Sequence, residues 1–259
     1  MLKVSEIEQA LFEIAPRECA QGWDNVGLLV GRPEQTVQKV LVSLDITESV
    51  IAEAAQWKAD LIVSHHPVIF HGQKSVTNRD PVGRRVLELA EKGIAAICMH
   101  TNLDCAEGGV NDMLAQALGI RVPERFTGEG VGRCGWRAEP IALPEFVRFV
   151  SGALGCKGVR YADAGKPVHR VAVGGGACGE FEDAAICAGC DTFVTSDLSY
   201  HQFVDAKSKG INLIDAGHFP TEDLICKEVL AYLMERFPEL CVQKSAFHKE
   251  AIQYYVEGE

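Results

Sequence analysis

Short apolar runs alternate with longer amphipathic stretches along most of the chain. Apolar runs bounded by turn residues predict buried strands, and the stretches between them predict helices of about ten or more residues. The predicted strands cover residues 40–46, 61–64, 94–100, 168–173, 192–195, 211–215 and 252–256. Regular alternation of strands and helices is typical of an α/β fold.

The order of these predicted elements occurs twice. Residues 41–66 and residues 171–197 each contain a strand, a helix and a second strand. Residues 93–104 and residues 210–222 then each contain an apolar strand that runs into a polar cluster. This matched order favours duplication over chance similarity between two α/β segments. We therefore expect two α/β repeats, each a sheet flanked by helices.

Side chains that bind metals follow the predicted strands of both repeats. In parallel sheets, functional groups lie beyond the carboxyl ends of the strands. Imidazoles and carboxylates at such ends form the mixed type of set that holds divalent metal ions. The candidate ligands are His65, His66, Asp104, His218 and Glu222, with His100 close by.

The spacing of these ligands favours two ions over one. Adjacent residues of a regular strand point to opposite faces, so His65 and His66 cannot easily share a single ion. Two ions about 3.5 to 4 Å apart, joined by a bridging carboxylate, would give each imidazole its own metal. His218 and Glu222 are four residues apart at a predicted helix start, which places both on one face.

Composition and charge limit the classes of function. The chain has 259 residues, of which 47% are hydrophobic, and its formal net charge is −11. This predicts a globular protein of one large or two modest domains. The acidic charge disfavours direct binding to nucleic acid or to acidic membranes. No apolar run is long enough to span a bilayer, and the N-terminal residues do not resemble a secretory leader.

The cysteines predict a reduced, cytoplasmic protein. All ten are irregularly spaced, which disfavours a disulfide framework. Cys187 and Cys190 form a Cys-x-x-Cys pair, but no second pair has the spacing of a structural zinc site. We therefore interpret both as small buried apolar residues.

Two other segments allow alternative interpretations. Residues 174–179 fit the G-x-G-x-x-G pattern of a dinucleotide site, but Asp197, the acid that follows, occupies a ligand-equivalent position in the repeat. A phosphate-binding helix N-terminus is therefore favoured over NAD. Residues 23–25, Trp-Asp-Asn, would contact the substrate or metal-bound water, or form a packed turn. His169 and His248 are expected at the surface.

Five motifs in this order resemble one family of dinuclear metal proteins, named GTP cyclohydrolase I type 2 or Ngg-interacting-factor-three-like. The motifs are WDNVGL at 23–28, SHHP at 64–67, HTNLD at 100–104 with GGVND at 108–112, TSD at 195–197 with His201, and GHFPTE at 217–222. The similarity extends over nearly the whole chain. Many members carry Gly-Glu or Gly-Asp in place of the Ser-Asp at 196–197, so the function of that segment stays open.

The resemblance implies an architecture and an assembly. It implies two intertwined α/β repeats with the metal site between them, one formed by residues 1–125 plus 215–259 and the other by residues 126–214. It implies a toroidal homohexamer. Because residues 119–140 leave no room for an inserted domain, the chain is similar to the short form of the family.

The resemblance also implies a role for each ligand. His66 and Asp104 would hold one ion, and His65 and His218 would hold the other. Glu222 would bridge both ions. Such a set of imidazoles and carboxylates accepts Zn, Fe, Mn, Co or Ni.

Two classes of function fit these expectations. In the first, the protein is a metal-dependent hydrolase of a nucleotide or phosphoester, with water activated by two divalent ions and with His100 and His201 as candidate proton donors. Opening the GTP ring, as the family name implies, would require attack at purine C8. In the second, the hexamer is a non-catalytic metal-binding scaffold or regulatory adaptor. Metal-dependent turnover would distinguish the two.

Overall fold

The computed structural model describes residues 1–255, which form two compact units. Unit 1 consists of Met1–Glu107 and Ile225–Lys249, and unit 2 consists of Gly108–Leu224 and the segment that starts at Glu250. Each unit therefore combines two separate parts of the chain. Within residues 1–255, no helix has both the length and the apolar sequence needed to cross a membrane.

Unit 1 contains a five-stranded sheet flanked by helices. Its strands are β1 (Gly27–Val30), β2 (Lys39–Ser43), β3 (Leu61–Ser64), β4 (Ala95–Cys98) and β11 (Cys241–Lys244). Their order is β1–β4–β3–β2–β11, with β1 antiparallel to β4 and the other neighbours parallel. Its helices are α1 (Val4–Ile14), α2 (Glu48–Trp57), α3 (Pro81–Lys92), α4 (Thr101–Cys105) and α10 (Ile225–Arg236).

The centre of unit 1 is a buried parallel sheet. Leu41, Ile62 and Ala96 lie in register across β2, β3 and β4 and belong to one hydrophobic cluster. Strands that are buried in this way have nearly continuous apolar sequences, which explains why they could be predicted. Asp80 begins α3 by accepting a hydrogen bond from the Gly83 N–H at 2.8 Å, a typical N-cap.

Unit 2 contains a six-stranded mixed sheet. Its strands are β5 (Arg121–Glu124), β6 (Arg133–Ile141), β7 (Arg160–Ala162), β8 (Val168–Val173), β9 (Thr192–Thr195) and β10 (Asn212–Asp215). Their order is β5–β6–β8–β9–β10–β7, and the central β8, β9 and β10 are parallel. Its helices are α5 (Val110–Ala117), α6 (Leu143–Leu154), α7 (Glu182–Cys187), α8 (Tyr200–Lys209) and α9 (His218–Glu222).

Both units are organised around three parallel strands that neighbour one another in chain order. These are β2, β3 and β4 in unit 1 and β8, β9 and β10 in unit 2. The predicted α/β class, with two sheets flanked by helices, is confirmed. In each unit, the residues that follow the three strands lie at one edge of that unit's sheet.

The units divide at different places from the expected divisions after residues 125 and 214. Leu114 and Leu118, in and just after α5, pack with Val171 of β8 in one core cluster, so this part of the chain belongs to unit 2. The helix α9 also belongs to unit 2, and the chain returns to unit 1 at Ile225.

The strand predicted at residues 252–256 does not form within the described part of the chain. Residues 252–255 have no regular secondary structure, and Val256 lies outside the described residues. The last strand among the described residues is β11, which pairs with β2. Its sequence, Cys-Val-Gln-Lys, is too short and too polar to give a clear strand signal.

Candidate metal centre

Three histidines of unit 1 lie together beyond the ends of two neighbouring strands. His65 and His66 follow β3, and His100 follows β4. Each offers a ring nitrogen, and the three nitrogens lie within 4.8 Å of one another. Because β3 and β4 are parallel and in register, the predicted strand-end placement of these histidines is observed within unit 1.

Asp104 is the carboxylate ligand candidate of the same unit. It lies on α4, the short helix that starts directly after His100. Its Oδ1 is 3.5 Å from Nε2 of His65, and both residues are buried. Unit 1 therefore brings together an imidazole and a carboxylate of the kind that holds divalent ions.

Hydrogen bonds fix the orientation of each histidine in this cluster. The Nδ1 atoms of His65, His66 and His100 lie 2.8 Å from Met99 O, Asp45 Oδ1 and Asp24 Oδ1, respectively. A carbonyl or an ionised carboxylate can only accept, so each Nδ1–H donates. When such a ring is neutral, its Nε2 atom carries the lone pair with which histidine binds a metal.

Asp45 joins His66 to a second histidine. Its Oδ2 lies 2.9 Å from Nε2 of His248. Burial raises the pKa of Asp45, but hydrogen bonds from His248 and His66 outweigh burial and hold that pKa well below its usual range. His248 was expected at the surface, yet its side chain is only 8% exposed. That expectation was wrong, because β11 returns the chain beside β2, which ends two residues before Asp45.

Asp24 has a structural role in the Trp-Asp-Asn segment. Its carboxylate accepts hydrogen bonds from the Thr101 N–H at 3.0 Å and the Thr101 hydroxyl at 2.5 Å, as well as from His100. Burial raises the pKa of Asp24, but these hydrogen bonds outweigh the effect of burial and hold that pKa well below its usual range. Asp24 therefore fixes both the start of α4 and the ring of His100.

Unit 2 brings His218 and Glu222 together on α9. Nε2 of His218 is 3.0 Å from Glu222 Oε2, as the four-residue spacing predicts. Nδ1 of His218 is 2.5 Å from Oδ2 of Asp197, which follows β9. Burial lowers the pKa of His218, but the bonds to Asp197 and Glu222 outweigh it and raise that pKa to about 10. Two carboxylates around one imidazole therefore favour a positive charge at this position.

The glycine-rich segment packs against His218 and Glu222, the candidate ligands of unit 2. The Gly175 N–H donates to Asn111 Oδ1 at 2.9 Å, and the Gly176 N–H donates to the Thr221 hydroxyl at 3.1 Å. A Cβ atom at Gly176 would lie 2.1 Å from Oε1 of Glu222. The phosphate-binding interpretation is therefore wrong for these two N–H groups, because side chains of unit 2 already use them.

The remaining candidates lie in different settings. His201 is exposed on α8, where its ring contacts Tyr200 with centroids 5.6 Å apart. Cys190 is buried as expected, whereas Cys187 is exposed. The thiol partner of Cys190 is Cys134, whose hydrogen bond to Cys190 lowers the pKa of Cys134 to about 7.

Sequence reasoning missed Asp45 as a carboxylate that orients a candidate ligand, and it left the function of Asp197 open. Each is the second residue after a core strand, β2 or β9, at the edge of its unit's sheet that carries the histidines. The strand-end rule that identified the histidines would also have identified them. An Asp in a turn after a strand is common for other reasons, so this signal was weak.

Comparisons with known proteins agree on one family. A model of the Duf34/NIF3 (NGG1p interacting factor 3) family matches residues 2–251. A Clostridium perfringens protein named GTP cyclohydrolase 1 type 2 homolog is 33% identical over 255 residues, which cover 95% of this chain and 97% of that protein.

Solved structures share the fold over nearly the whole chain. A Bacillus cereus protein related to NIF3 superposes with a TM-score of 0.91 at 23% identity, covering 98% of this chain and 99% of that one. A Staphylococcus aureus hypothetical protein superposes with a TM-score of 0.90 at 29% identity, with the same coverage.

Proposed function

Because the chain belongs to the Duf34/NIF3 (NGG1p interacting factor 3) family, we propose that it is a metal-dependent hydrolase of a nucleotide or another phosphoester. The metal centre holds two divalent ions per chain, drawn from Zn, Fe, Mn, Co and Ni. When bound, such ions act as Lewis acids and lower the pKa of water toward neutrality. The proposed ligands are His65, His66, Asp104, His218 and Glu222.

One observation carries this proposal: the histidines of both units are oriented by acceptors at Nδ1. Asp45 holds His66, Asp197 holds His218, and a backbone carbonyl holds His65. A carboxylate or carbonyl behind an imidazole is the usual arrangement around metal-binding histidines, because it fixes the tautomer and raises the basicity of the ligand nitrogen.

The ligand roles follow the family pattern. His66 and Asp104 hold one ion, His65 and His218 hold the other, and Glu222 bridges both. Gly176 supports the role of Glu222, because the missing side chain leaves room for that carboxylate.

The chain offers two proton donors for this chemistry. His100 is the stronger candidate, because one of its ring nitrogens belongs to the histidine cluster and the Asp24 carboxylate fixes the ring through Nδ1. His201, which is exposed on α8, is the second candidate.

We further propose that the protein works in the cytoplasm as a toroidal homohexamer. Ten free cysteines support a reducing compartment. Light scattering is expected to give a mass near six times 28.2 kDa. A monomer alone at micromolar concentration would contradict the hexamer.

Metal analysis combined with a substrate screen tests the catalytic proposal. The purified protein should contain two metal ions per chain and should hydrolyse bis(p-nitrophenyl) phosphate or GTP, the nucleotide in the name of the Clostridium relative. A chelator should abolish turnover, and added metal should restore it. His169→Ala is the matched control, since His169 packs on Trp136. Bound metal without any turnover would instead support the non-catalytic scaffold or adaptor.

A further inference from the structure

Two large aromatic side chains of unit 1 are exposed side by side. Trp23 is 61% exposed and Phe70 is 42% exposed. Their ring centroids are 5.6 Å apart, with the ring planes tilted by 58°. We call this pair the aromatic platform. Contiguous exposed apolar surface on a globular protein commonly marks a binding site.

The aromatic platform borders the histidine cluster of unit 1. The centroid of the His100 ring lies 6.2 Å from that of Trp23 and 6.1 Å from that of Phe70. A ring nitrogen of His100 lies within 4.8 Å of ring nitrogens of His65 and His66. A molecule resting on the platform would therefore extend to the proposed metal ligands.

Hydrogen bonds fix the two loops that carry the platform. Asn25 Nδ2 donates to the Ile69 carbonyl at 2.6 Å, so the residue next to Phe70 is tied to the segment of Trp23. Asp24, between Trp23 and Asn25, is held by His100 and Thr101. The backbone next to each exposed ring is thus fixed before a ligand binds, which reduces the entropic cost of binding.

The surroundings of the platform favour a planar heteroaromatic occupant. His100 contacts both rings, and His71 contacts Phe70 with centroids 4.6 Å apart. An aliphatic occupant would remove these imidazoles from water without replacing their hydrogen bonds. A nucleobase instead stacks its face on aromatic rings and presents polar atoms at its edge.

We propose that the aromatic platform stacks the base of a nucleotide-type phosphoester, with the phosphoester directed to the histidine cluster. This rests on the proposed function and narrows its substrate class from phosphoesters in general to those that carry a planar heteroaromatic ring. Trp23 and Phe70 are then specificity-determining residues.

Paired ligands test the platform. Calorimetry on the full-length metal-loaded protein should show guanosine 5′-monophosphate binding about 5- to 100-fold more tightly than ribose 5-phosphate, which lacks the base. Trp23→Leu and Phe70→Leu should each remove most of this difference while leaving ribose 5-phosphate affinity and metal content unchanged. Trp23→Phe should keep part of it. Trp136→Leu is the matched control, because Trp136 is 43% exposed in unit 2.

Other outcomes separate the platform from the hydrolase proposal. Equal affinity for the two ligands, or an equal loss of both in Trp23→Leu, overturns the platform and leaves the hydrolase standing. If neither ligand binds and no substrate is hydrolysed, the hydrolase proposal is wrong. Binding of guanosine, which lacks the phosphate, then tests the platform separately. In protein with Trp57→Phe and Trp136→Phe, quenching of Trp23 fluorescence by guanosine supports stacking, and its absence overturns it. If Trp23 is already protected from quenching by acrylamide in the absence of guanosine, the platform is also overturned, because a second copy of the chain would then cover the ring.

Discussion

The Asp45 carboxylate holds Nδ1 of His66 at 2.8 Å and, through its other oxygen, contacts Nε2 of His248 at 2.9 Å. One side chain therefore connects a proposed metal ligand to a segment 203 residues away in the sequence. That segment is anchored separately, because Glu53 accepts hydrogen bonds from the Ala246 N–H at 2.9 Å and from Ser245. The orientation of His66 thus depends on the return of the chain to unit 1.

Replacing Asp45 should weaken metal binding without removing a ligand. Asp45→Asn keeps the shape of the side chain, but it removes the negative charge and replaces one of the two acceptor oxygens by an NH2 donor. Loss of such an orienting carboxylate typically costs about 10- to 100-fold in metal affinity. Competition with a chromogenic chelator measures this change, and His169→Ala is the control. Unchanged affinity in Asp45→Asn would show that His66 does not depend on this contact.

Glu222 and Asp104 should differ in their effect on metal content. Glu222 is proposed to bridge both ions and Asp104 to bind one. Glu222→Gln should therefore lower the content well below one ion per chain, whereas Asp104→Asn should retain about one. Elemental analysis of the two variants checks this, and both should lose hydrolysis because activation of water requires both ions. Two tightly bound ions in Glu222→Gln would rule out the bridge.

The Cys-x-x-Cys pair should not contribute to the metal centre. Cys187 is exposed, and the thiol partner of Cys190 is Cys134. The double variant Cys187→Ala with Cys190→Ala should therefore keep the metal content of the native protein, as measured by elemental analysis. Loss of one metal equivalent per chain would assign these thiols to a metal site.

The sequence predicted the parts of the centre that depend on local order. His65, His66 and His100 follow strands whose apolar sequences are continuous, and parallel pairing places them at one edge of the sheet. His218 and Glu222 are one helical turn apart, so their contact is also local. These residues could be found because short-range periodicity determines where they lie.

Other features depend on contacts between distant segments, which no local pattern encodes. The contact of His248 with Asp45 requires the pairing of β11 with β2, and the weakly apolar sequence of β11 gave no signal of that pairing. The glycine-rich segment matched a phosphate-binding pattern because phosphate binding and close approach to another side chain both need backbone without side chains. Only the position of Glu222 shows which role these glycines have in this chain.

Gly176 provides the most direct test of how the unit 2 ligands are supported. Its φ is +67°, a backbone angle that residues with a side chain rarely adopt. A Cβ atom there would lie 2.1 Å from Oε1 of Glu222 and 3.1 Å from Nε2 of His218. Gly176→Ala should therefore displace Glu222 and lower the free energy of unfolding by about 1 to 3 kcal/mol. Because the displaced carboxylate is the proposed bridge, metal affinity should fall at least about tenfold.

Gly152→Ala is the matched control in the same unit. Gly152 lies within the helix α6, and a Cβ there would meet no atom within 4 Å. Replacing a helical glycine by alanine should raise the free energy of unfolding by about 0.5 to 1 kcal/mol and leave metal affinity unchanged. Urea unfolding of the metal-free variants and chelator competition measure the two effects separately. If Gly176→Ala bound metal as tightly as Gly152→Ala, the close approach of Gly176 to Glu222 would have no part in holding the ions.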